Sequence, residues 1–79
     1  MMISLTRTNG ITVRLDASYD VEAETVEYTV TCNSTRLYFW DFKRAAVLYK
    51  SLCKEIKMKC DMSGRLAALD EMYGRKEVA

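Results

Sequence analysis

The chain has no histidine, and only three cysteines and three glycines in 79 residues. Without histidine it lacks the commonest general base and the commonest metal ligand. Cys32, Cys53 and Cys60 are odd in number and form no C-x-x-C pair, so neither a disulfide framework nor a zinc site is indicated. No glycine-rich loop is present to cradle phosphate. Long apolar stretches are also missing. The longest runs from Ala45 to Tyr49, and no charged-then-apolar leader opens the chain, so no signal for secretion or membrane insertion is visible. The expected location is a reducing cytoplasm, where the Asn33-Ser34-Thr35 sequon has no role. Charge of one sign is lacking too. Twelve Lys+Arg against eleven Asp+Glu give +1, which excludes a polyanion or polycation acting through total charge.

What remains is one domain, expected over residues 1–74, with a frayed tail at 75–79. A chain this short buries on the order of 115 kcal/mol of apolar stabilisation, against ~1.5 kcal/mol of ordering entropy per residue. The two nearly cancel, so a partner surface or self-association would stabilise the domain appreciably.

Alternation of apolar and polar residues marks four strands. Ile3 and Leu5 precede Asn9-Gly10, and Ile11, Val13 and Leu15 follow it, a strong hairpin signal. A three-residue loop, Thr8-Asn9-Gly10, would pair Leu5 with Val13 and Ile3 with Leu15, placing every apolar residue on one face. That loop is the expected one. Residues 16–24 read as an acidic, irregular stretch containing Asp16, Asp20, Glu22 and Glu24 around Tyr19. A third strand carries Val26, Tyr28, Val30 and Cys32 on one face. A two-residue turn at Asn33-Ser34 then pairs Val30 with Leu37 and Tyr28 with Phe39. Tyr38 and Trp40 are left on the other face, beside Thr29 and Glu27.

Asp41 is a good N-cap for a helix whose apolar stripe holds Phe42, Ala45, Ala46, Tyr49, Leu52, Cys53, Ile56 and Cys60. Lys43, Lys50, Lys54 and Lys57 fall within about 60° of one another on a flank of that helix. After a break near Asp61 to Gly64, Met62, Leu66, Leu69 and Tyr73 recur at helical spacing, and Gly74 is the expected stop. The expected fold is α+β: a four-stranded antiparallel sheet of two hairpins, then one long and one short C-terminal helix, with helix packed on one sheet face.

Catalysis finds little support. Ser51-Leu52-Cys53-Lys54 matches an S-x-x-K string by chance, since its companion segments are missing and Ser51 would face solvent. Cys53 and Cys60 read as core thiols. The acidic stretch lacks the spacing and central glycine of an EF-hand, so it reads as a solvated loop. No catalytic residue, metal or cofactor is expected. Three surfaces are candidates for a partner: Arg36, Tyr38 and Trp40 on the outer sheet face, with Arg14 nearby; the stripe of Lys43, Lys50, Lys54 and Lys57; and the acidic stretch with Tyr19, Asp20 and Glu22. Aromatic-plus-arginine patches are enriched at the energetic centres of interfaces. A lysine stripe is ordinarily a solvated helix flank, and an outer sheet face is ordinarily covered by a helix or a second subunit. By halves, residues 1–35 carry −3 and residues 36–79 carry +4.

A chain of under a hundred residues, with an antiparallel sheet leading into Trp40-Asp41-Phe42-Lys43-Arg44-Ala45-Ala46, resembles the small orphan proteins encoded by bacteriophages and mobile elements, anti-CRISPR proteins among them. The resemblance implies a stoichiometric, non-enzymatic inhibitor that occupies a surface of a host defence or regulatory protein in the host cytoplasm. It carries over no site residue. Strongly acidic inhibitors of this kind imitate DNA, and this chain is not strongly acidic. Two alternatives compete: a small sheet-faced DNA-binding domain using Arg14, Arg36 and Trp40, and a structural homodimer that pairs sheets through Tyr38 and Trp40.

Overall fold

The computed structural model describes residues 1–58 and 61–74. In chain order the elements are β1 (Met2–Thr8), β2 (Ile11–Asp20), β3 (Thr25–Cys32), β4 (Thr35–Phe39), α1 (Phe42–Lys57) and α2 (Ser63–Tyr73). The strands form one antiparallel sheet in the order β1-β2-β3-β4, and both helices lie on the same side of it. The fold is α+β, as expected. The predicted tail 75–79 and Cys60 lie outside the described residues.

The core is the inner sheet face against α1. Val13 and Leu15 of β2, Val30 and Cys32 of β3, and Leu37 and Phe39 of β4 are buried. From the helices they meet Ala45, Leu48, Tyr49, Leu52, Ile56 and Leu69. The second hairpin has the expected register, with Val30 opposite Leu37 and Tyr28 opposite Phe39. Asn33 takes the left-handed backbone of that turn, with φ of 53°. It also ties the turn to the next strand: its N–H donates to the Thr12 carbonyl at 3.0 Å, and its side-chain oxygen accepts from the Thr12 N–H at 3.3 Å.

The first hairpin departs from expectation. Thr8 pairs with Ile11, so the turn has two residues, Asn9 at φ 54° and Gly10 at φ 77°. Two left-handed residues match the twist of the strands, which a three-residue loop need not do. The shorter turn moves β1 by one residue. Leu5 now pairs with Arg14 on the outer face and is 49% exposed, while Ser4 and Thr6 face inward opposite Leu15 and Val13. Those two polar residues are satisfied by Tyr49. Ser4 Oγ donates to the tyrosine hydroxyl at 2.9 Å, and the same hydroxyl shares a 2.8 Å hydrogen bond with Thr6 Oγ1. Asn9 Nδ2 adds a bond to the Ile56 carbonyl at 2.9 Å. The register shifts between Met2 and Ser4, which leaves Ile3 as a bulge on this edge strand.

The acidic stretch is mostly strand. β2 continues to Asp20, pairing Asp16 with Thr29 and Asp20 with Thr25, and the turn is confined to residues 21–24. Asp20 Oδ1 accepts from the Glu22 and Ala23 N–H groups at 2.9 and 3.1 Å, and Glu24 is left-handed at φ 55°.

Asp41 caps α1, accepting from Lys43 N–H at 3.0 Å. The buried stripe is rotated slightly from expectation: Leu48 is buried, Ala46 and Cys53 are half-buried, and Phe42 is exposed. Phe42 retains an edge contact with Tyr28, ring centroids 5.3 Å apart. Met62, just ahead of α2, and Leu69 within it are buried, and Leu66 and Tyr73 are half-buried, which matches the expected spacing. Tyr73 packs on Phe39 at 4.9 Å, fixing α2 along β4. Ahead of α2, Asp61 accepts from Ser63 N–H and Oγ, and these bonds hold its carboxyl below the usual carboxylate range. Gly74 ends α2 without a left-handed residue, at φ −68° and ψ 132°. Glycine is needed there because a Cβ would run into the Asp70 oxygens.

Candidate functional site: the outer sheet face

Both helices pack on the inner face, so no described element covers the outer one. Strand alternation brings Arg14 and Asp16 of β2, Thr29 and Thr31 of β3, and Arg36 and Tyr38 of β4 together on that face. They line a depression of about 310 Å³. Arg14 Nε lies 2.8 Å from Asp16 Oδ2, a partly exposed ion pair that directs the arginine along β2 and is worth little in stability. Arg36 is exposed and Tyr38 half-buried. Immediately past β4, Trp40 is 53% exposed. A tryptophan left this open gives up much of the burial that usually decides where its ring lies.

The sequence-predicted residues therefore separate into three places. Arg36 and Tyr38 meet on the depression with Arg14, as anticipated, and Trp40 stands beyond the end of their strand. Lys43, Lys50, Lys54 and Lys57 are all exposed on α1, which lies across the inner face, so the lysine stripe belongs to the opposite layer of the molecule. Tyr19 and Asp20 end β2, and Glu22 is in the turn that follows, at the tip of the β2–β3 hairpin. One surface cannot use all three sets.

Asp16 was not among the expected site residues, because the sequence reads it into a loop. Its signal was the alternation of Asp16, Ser18 and Asp20 with Ala17 and Tyr19, a strand pattern. A second feature was also missed. Between α1 and α2 lies a cavity of about 460 Å³, with Leu48 and Leu69 in its apolar wall and Lys43, Arg44 and Arg65 around it. Arg65 reaches across to Glu55 at 3.0 Å, and Ser51, half-buried and not facing solvent as expected, donates to the same carboxylate at 3.3 Å.

Cys32 is buried beside Cys53 and Glu55, and burial first, then those neighbours, pushes its thiol up in pKa, away from the nucleophilic thiolate. Among the described residues, no three His, Cys, Asp or Glu side chains converge as a metal ion would require. No helix among them is long and apolar enough to cross a membrane.

The chain matches no protein-family model, no curated protein and no solved structure.

Proposed function

We propose that this protein is a non-enzymatic binding module that presents its outer sheet face to a protein surface, as a phage-encoded inhibitor would in occluding a host defence or regulatory protein in the host cytoplasm. The observation that carries this reading is the uncovered face itself: a depression with two arginines and a tyrosine, and a half-exposed tryptophan past its edge strand. Arginine, tyrosine and tryptophan are the residue types that dominate interface energetics.

The charge on this face favours a protein over nucleic acid. Arg7, Arg14 and Arg36 are set against Asp16 and Glu27, and Arg14 is already paired with Asp16. A phosphate backbone draws its affinity from several cations at once, and this face has little net positive charge to offer.

The test compares immobilised wild type with Trp40→Ala and Arg36→Ala, all verified as folded by circular dichroism, in capture of bacterial host proteins. Each substitution is expected to weaken capture of a specific partner at least about ten-fold. Undiminished capture by both variants removes the outer face from this reading.

A further inference from the structure

The cavity between α1 and α2 has a complement elsewhere on the same chain. Val47 and Met72, at its mouth, are 68% and 69% exposed, so two apolar side chains stand in water where the groove opens. The cations around them are Lys43, Arg44 and Arg65, of which Arg65 already pairs with Glu55, and no described residue lining the groove is acidic. The tip of the β2–β3 hairpin has the opposite character. Val21 is 78% exposed, Tyr19 is exposed beside it, and Glu22 and Glu24 flank them. The tip is also shaped in advance. The Asp20 carboxylate holds two of its backbone N–H groups, and Glu24 is fixed in the left-handed region. A preformed turn loses little conformational freedom on docking.

We propose that the chain self-associates by seating the Tyr19–Glu24 tip of one copy in the α1–α2 groove of another. Val21 and Tyr19 would cover Val47 and Met72, and Glu22 and Glu24 would face Lys43 and Arg44. The tip does not fill its own groove, since none of its residues lines that cavity. A small amphiphilic anion is a poorer occupant. Ligand pockets enclose most of their ligand, and a groove whose apolar mouth is two-thirds exposed would leave a hydrocarbon in water. A second copy brings both the apolar tip and the carboxylates.

Tip and groove are different patches, but a two-fold axis that exchanges them makes the interface isologous, each tip meeting the other copy's groove. They also lie toward the same end of the sheet. Phe39, in the groove wall, pairs with Tyr28, three residues from the start of β3, where the tip emerges. Two copies can therefore exchange tips about a two-fold axis and close as a dimer. This contact leaves the outer sheet face free and is independent of the function proposed for it.

Sedimentation equilibrium tests the proposal on wild type, Val21→Asp at the tip and Met72→Asp at the groove, with Val47→Asp as a second groove variant. All three positions are exposed and outside the core, so folding should be retained. Wild type is expected to show a dimer whose dissociation constant rises with salt, because the contact joins unlike charges near the surface. Each variant alone should weaken it about ten-fold or more. The decisive arm mixes Val21→Asp with Met72→Asp. One variant keeps an intact groove and the other an intact tip, so the mixture should associate more tightly than either alone. A wild type that stays monomeric up to ~1 mM at low salt overturns the proposal. So does a dimer that survives the tip and groove variants, or one lost with Trp40→Ala instead. Tight binding of decanoate to the groove of a monomeric protein overturns it as well, in favour of a small anion.

Discussion

The two hairpins of the sheet both turn on an asparagine and two residues, yet they send their apolar side chains in opposite directions. In β3–β4, Val30, Leu37 and Phe39 face the helix and are buried. In β1–β2 the β1 side is inverted: Leu5 faces out, and Ser4 and Thr6 face in. The inversion is tolerated because α1 meets β1 with the one residue that is apolar along its ring and polar at its end. The Tyr49 ring is buried with the core, and its hydroxyl binds both inward hydroxyls. The two ends of the sheet are therefore held by different forces. β4 is held by apolar burial, which scales with area. β1 is held by its ladder to β2, a small hydroxyl cluster and the Asn9–Ile56 bond, in which each hydrogen bond contributes about 1 kcal/mol.

That contrast can be broken most sharply at β4. Leu37→Ala, at a fully buried site in the second hairpin, is expected to cost about 2–5 kcal/mol in urea unfolding. A loss below about 1 kcal/mol would mean that β4 is not held by packing. The middle effect is at Tyr49. Tyr49→Phe keeps the ring and removes the hydroxyl, leaving Ser4 and Thr6 to one another or to water, and should cost roughly 1 kcal/mol. Amide exchange should show where: protection should fall in β1 more than in β4. Equal losses in both strands would contradict the division. The smallest effect is at Leu5, where Leu5→Ser should change stability by about 0.5 kcal/mol or less. A cost comparable with that of Leu37→Ala would return Leu5 to the core and restore the three-residue loop.

How far the sequence can be read follows the same division. The second hairpin was legible in full because its apolar alternation and its turn agree on one register. The first was not, because there the two signals conflict. Apolar parity favours a three-residue loop, Asn-Gly favours two, and the turn prevailed because a tyrosine from 40 residues downstream satisfies the polar face. No local pattern contains that tyrosine. Asp41 as the cap of α1 and the spacing of Met62, Leu66, Leu69 and Tyr73 were readable, since caps and periodicity are local. The burial of Leu48 and the exposure of Phe42 were not, because they depend on the angle at which α1 crosses the sheet. Of the outer face, Tyr38 with Thr29, and Arg14 near Arg36, were foreseen. Asp16 is not legible, because the acidic residues around it read as a loop while β2 runs on to Asp20. The α1–α2 groove was out of reach, since it exists only because Tyr73 packs on Phe39 and sets α2 along β4.

The order of strands in the sheet is the order in the chain, and this has a consequence for assembly. Each strand pair closes a turn of only two or four residues, so the ladder can zip from neighbour to neighbour at little entropic expense. Among the described residues, the hydrogen bonds of longest sequence separation tie β1 and the turn after it to α1. Ser4 and Thr6 reach Tyr49 across 45 and 43 residues, and Asn9 reaches Ile56 across 47. Those bonds require α1 to be in place over the sheet. The strand first in chain order therefore completes its side-chain bonds only when the helix that follows the whole sheet is in place.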